Sequence, residues 1–138
     1  MITPKNFLII LITIVAISIV ILINPISNDE FDFSHFKFDA VYLNDNNSVL
    51  ITFSDETGKS SFAILEILGM ETTFHKEFKI TNSSFSQLVS LDTIPKYGWK
   101  TTPVILEITY DESNTVKMKT EIHDEDQIPP EIIFTYDD

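Results

Sequence analysis

The sequence predicts an all-β domain, a two-sheet β-sandwich of seven or eight short strands, preceded by one apolar helix at the amino terminus. Three observations predict it. Apolar and polar residues alternate in successive short runs, the two-residue period of a strand with one buried face. Asn, Asp, Gly and Pro interrupt those runs at intervals of about 8 to 12 residues, the rhythm of a sandwich. Residues Phe7 to Ile23 hold no charge, proline or glycine, in a chain that is otherwise polar and acidic.

The apolar stretch sets the location. At roughly 1.5 Å per residue a helix over it measures about 26 Å, close to the ~30 Å of a bilayer's hydrocarbon layer. It lacks the polar face a soluble helix would carry. Signal-peptide cores are shorter and end at a small-x-small site, which Ala16 and Ser18 provide only inside the run. The reading is a retained transmembrane signal anchor over residues 7–26, after a cytoplasmic segment 1–6 and before a stalk 27–34 and an extracytoplasmic domain 35–138. Orientation follows from Lys5 before the segment and Asp29, Glu30 and Asp32 after it, since positive flanks stay inside.

The domain's elements follow in order. Phe36, Phe38, Ala40 and Tyr42 alternate as strand one, and the opposite parity of Phe31 and Phe33 marks a bend near Ser34 and His35. Asn44 to Asn47 form a turn, and Val49 to Phe53 the second strand. Asp55 to Lys59 are expected to close a hairpin, with Gly58 at positive φ. Phe62 to Leu68, apolar on both parities except Glu66, is a central strand ended by Gly69. In Thr72 to Thr81 the inward parity carries Phe74, Phe78 and Ile80 but also Lys76, which an edge strand tolerates. Phe85 to Leu91 is the next strand after a turn at Asn82 to Ser84.

From Asp92 to Pro103 the chain is too long and proline-marked for a hairpin, and is expected to cross between sheets. Val104 to Tyr110 and Val116 to Ile122 form a hairpin about Asp111 to Asn114. His123 to Pro130 is read as an acidic loop closed by two prolines, and Ile132, Phe134 and Tyr136 as a last strand. The rhythm resembles that of immunoglobulin-like domains. The cysteine pair and third-strand tryptophan of those domains have no counterpart here, for the chain has no cysteine and its single tryptophan, Trp99, stands in the crossing connection.

Composition excludes more than it assigns. Beyond the anchor, eight lysines stand against 21 acidic residues, a formal charge of −13 that repels nucleic acid. Arginine is absent, and with it the planar fork for phosphates. Three glycines leave no phosphate-cradling loop; Gly58-Lys59-Ser60 echoes the end of one, but position 53 is Phe. Without cysteine there is no thiol nucleophile, lipid attachment or disulfide, and no serine sits in a G-x-S-x-G elbow. His35, His75 and His123 are scattered and read as surface residues. No cofactor and no catalysis are expected.

Three sets of residues are candidate sites. Loops rich in Asp and Asn suit calcium; of Asn44 to Asn47, Asp111 to Asn114 and His123 to Asp126, the last offers the best ligands in Asp124, Glu125 and Asp126. Tyr97 and Trp99, flanking Gly98, are either a ligand-stacking platform or a plug over one end of the core. Asn46 and Asn82 open sequons in turns, candidates for glycosylation. The functional expectation is a non-enzymatic, membrane-tethered domain that engages another envelope or membrane protein. The alternative is a tethered binder of calcium or carbohydrate.

Overall fold

The computed structural model describes residue 6 and residues 31–137. The expected anchor over residues 7–26 lies outside them, and among the described residues no helix is long and apolar enough to cross a membrane. The chain is mostly β in two sheets, a β-sandwich. Its strands are β1 (Phe36–Leu43), β2 (Ser48–Asp55), β3 (Ser60–Ile67), β4 (Phe74–Lys79), β5 (Ser84–Ser90), β6 (Pro103–Tyr110), β7 (Asn114–Glu121), β8 (His123–Asp124) and β9 (Ile133–Asp137). One sheet has the order β5-β2-β1-β8 and the other β4-β3-β6-β7-β9.

Strand periodicity makes the core. Phe36, Phe38, Ala40 and Tyr42 of β1 are buried, as are Val49, Ile51 and Phe53 of β2. They meet Ala63, Leu65 and Ile67 of β3, Val104, Leu106 and Ile108 of β6, and Val116 and Met118 of β7. Each large side chain so buried contributes about 1.5–3 kcal/mol relative to exposure, which is how a domain without disulfides holds together. β3 is central, as its apolar run suggests, and β4 is an edge, as Lys76 suggests.

The connections correct the sequence reading in two places. Asp55 to Lys59 do not close a hairpin: β2 pairs with β1 and β5, β3 with β4 and β6, so this turn arches from one sheet to the other. The turn at Asn82 to Ser84 and the long connection from Asp92 also change sheets, the latter as expected. His123 and Asp124 are not loop residues. They form β8, parallel to β1 with His123 opposite Val41 and Asp124 opposite Tyr42, so β7 runs through buried Ile122 straight into the opposite sheet.

These crossings define two ends. The near end, where β1 begins, carries the β2–β3, β4–β5 and β6–β7 turns; the far end carries the β1–β2, β3–β4 and β5–β6 connections. At the near end the compact unit starts at Asp32, and Phe33 stacks on Phe134 at 4.6 Å, so the last residues of the expected stalk touch the domain.

Candidate functional site

The far end holds a hollow. Two connections meet there, and Gly69 makes the meeting possible. Its φ of +78° suits glycine, and a Cβ added to it would stand 2.0 Å from the Thr101 carbonyl oxygen, inside any tolerable contact. Behind this close approach opens a cavity of about 450 Å³, lined by Met70, Glu71, Asp92, Ile94, Lys96 and Tyr97 among others. Its size falls within the usual range for small-molecule pockets.

Gly98, at φ +80°, sends its two aromatic neighbours different ways. Trp99 turns inward, half-buried in a short 3-10 turn (Trp99–Thr101), its ring 4.7 Å from that of Tyr42. Tyr42 is fixed in turn, its hydroxyl donating to Asn47 Oδ1 at 2.9 Å. Trp99 therefore packs against one buried residue of the core. Tyr97 stands on the cavity rim, 77 % exposed, with Lys96 Nζ 5.6 Å from its ring centroid, and Ile94 beside it is 58 % exposed. At the foot of β6, Thr102 is wholly buried and its hydroxyl finds no hydrogen-bond partner among the described residues.

The acidic stretch is arranged for structure. The Asp124 carboxylate accepts from Gln127 Nε2 at 3.1 Å, while Glu125 and Asp126 are exposed. Among the described residues no three His, Cys, Asp or Glu side chains gather so as to hold a metal ion. The other two acidic turns serve the backbone: Asn47, Asp111 and Glu112 all take positive φ, and Asp111 pairs with Lys59 at 3.1 Å. Hydrogen bonding to Asp111 raises the Lys59 pKa.

Histidine placement departs from expectation at two of the three positions, and the first is His35, half-buried with its ring 4.3 Å from that of Phe36 and 5.9 Å from that of Tyr110. His75 is a surface residue, held between Glu66 at 2.9 Å and Glu77 at 3.2 Å, and those hydrogen bonds raise its pKa from the ordinary 6.5. His123 is buried instead. Its Nε2 lies 2.9 Å from Asp39 Oδ1 and its Nδ1 2.8 Å from the Asp124 carbonyl oxygen, so both ring nitrogens are engaged. Asp39 is 84 positions away, and no local signal announces the pair.

Asp55 is the polar centre that sequence reading missed. Only 2 % exposed, its carboxylate accepts from the backbone N–H groups of Thr57, Lys59 and Ser60 and from the hydroxyls of Thr57 and Ser60, at 2.6–3.0 Å. Burial pushes its pKa up, but the hydrogen bonds from Thr57 and Ser60 outweigh it and leave the group below 3.8. The available signal was parity: Asp55 continues the inward positions 49, 51 and 53. Asn46 and Asn82 are both exposed, at the far and near ends respectively.

Comparison of the chain with protein families, with curated proteins and with solved structures returns no match in any of the three.

Proposed function

We propose that this chain is a membrane-anchored, extracytoplasmic domain of immunoglobulin-like topology that acts without catalysis, as a docking module for another envelope or membrane protein. The apolar run from Phe7 to Ile23 supports the anchor, and the charge flanking it supports the orientation. Strand order supports the topology: β5-β2-β1 against β4-β3-β6-β7 is the arrangement of strands E-B-A against C′-C-F-G, with β8 and β9 added.

The observation that carries the docking reading is the far-end rim. Ile94 and Tyr97 are large, apolar and more than half exposed, on a connection whose backbone is pinned by the Gly69–Thr101 approach. Rigid aromatic anchors of this kind carry most of the energy in protein interfaces. Crosslinking the full chain in intact cells, then purifying it in detergent, tests the reading. The expected result is one dominant crosslinked partner, lost when Ile94 and Tyr97 are both replaced by Ser. A chain that stays monomeric and uncrosslinked in its membrane overturns it.

A second reading rests on the cavity itself. Its volume and the Lys96-backed Tyr97 ring suit a carbohydrate stacked on the rim. Melting of the full chain with added oligosaccharides or calcium separates the two readings: only a ligand binder is stabilised.

A further inference from the structure

An edge strand exposes a row of unpaired ladder groups, and folded proteins commonly block such edges with charge, proline or shortness. Among the described strands, three of the four edges follow that rule. β4 carries His75, Lys76, Glu77 and Lys79, β8 is two residues long, and β9 ends in Asp137. β5 does not follow it. Its seven residues, Ser-Phe-Ser-Gln-Leu-Val-Ser, contain neither a charge nor a proline.

The direction of its free groups can be read from its ends. Leu91 N–H donates to the Asn47 carbonyl, and Asp55 N–H to the Ser83 carbonyl. Odd residues of β5 therefore bond to β2, and the N–H and C=O of Ser84, Ser86, Leu88 and Ser90 face outward. One of these groups is occupied: Gln87 Nε2 donates to the Leu88 carbonyl at 2.9 Å. Gln87 is itself held by Lys76, whose Nζ reaches across from β4 to its Oε1 at 2.6 Å. Neither Lys76 nor Lys79 makes an ion pair among the described residues.

We infer that β5 accepts an extended acidic segment of a partner protein as an added antiparallel strand. This rests on the reading of the domain as a docking module but uses a different surface. An inward-facing carboxylate on the added strand takes the place of Gln87 Oε1 on Lys76. Gln87 then swings off the Leu88 carbonyl, which becomes free to accept from the incoming backbone. Main-chain pairing supplies the affinity and the Lys76 ammonium the selectivity.

The test uses the full chain in detergent and two acetylated nonapeptides of alternating Thr and Val, one with a central inward Glu and one with Gln there. The Glu peptide is expected to bind at least tenfold tighter and to slow amide exchange at Ser86, Leu88 and Ser90. Lys76→Gln is expected to erase the preference, and Ser86→Pro to abolish binding by removing an outward donor. Should Ser86→Pro fail to fold, a Glu peptide N-methylated on its pairing side must fail to bind the unaltered chain. Equal affinity of the two peptides, a preference that survives Lys76→Gln, or protection on β4 or β9 instead overturns the inference. So does a peptide-independent dimer that buries β5, which would make a second copy the occupant. Replacing Ile94 and Tyr97 leaves peptide binding intact, so failure at the rim and failure at β5 are distinguishable.

Discussion

Asp55 and Gly69 sit at opposite ends of the sandwich and hold their ends by opposite means. At the near end a buried carboxylate gathers five hydrogen bonds from the turn that arches between sheets. At the far end a missing side chain lets two backbones touch, with Trp99 laid on Tyr42 alongside. The first arrangement is polar, so it depends on charge and pH. The second is steric and indifferent to both. It also leaves the side chains around it uncommitted, which is why Ile94 and Tyr97 can stand exposed on a fixed backbone.

The contrast is broken most severely at Gly69. Gly69→Ala places a Cβ against the Thr101 carbonyl at positive φ, and the expected loss is about 4 kcal/mol, at the severe end of single substitutions. Urea unfolding followed by Trp99 fluorescence measures it, and the loss is the same at pH 4 and pH 7. Asp55→Ala comes next, at about 3 kcal/mol, since it removes charge-assisted bonds and orphans buried donors. Here pH matters. A carboxylate whose folded pKa is depressed stabilises above its unfolded value, near 3.8, and loses that contribution as pH falls through the folded value. Acid unfolding of the parent therefore shows a component below pH 3.8 that Asp55→Ala lacks.

A gain is expected from Thr102→Val. It replaces a buried hydroxyl without a partner by a methyl of similar shape, raising stability by about 1 kcal/mol at the far end only. The smallest effect belongs to His75. Its raised pKa means that its ion pairs stabilise fully below 6.5 and fade as pH rises through the folded value. Because the ring is exposed, Glu66→Gln shows itself in an NMR titration, as a His75 pKa nearer 6.5, and scarcely in the melting temperature.

Much of this was legible in residue order, and the limits have physical causes. Apolar runs between turn residues located β1 to β7, with parity marking the core-facing positions in most of them. Sheet membership was hidden: a short turn such as Glu56 to Lys59 serves a hairpin or an arch equally, and the choice lies with pairing partners distant in the chain. His123 failed for the same reason, its burial depending on Asp39 in β1. At the far end the aromatic pair about Gly98 was readable, and which of Tyr97 and Trp99 turns inward was not, because backbone sign at glycine leaves no mark on its neighbours.

The passage of β7 through Ile122 into β8 means that one continuous run of backbone is stitched into both layers. Neither layer can peel away while the other survives. Heating then melts the domain as one cooperative unit, with calorimetric and van't Hoff enthalpies in agreement.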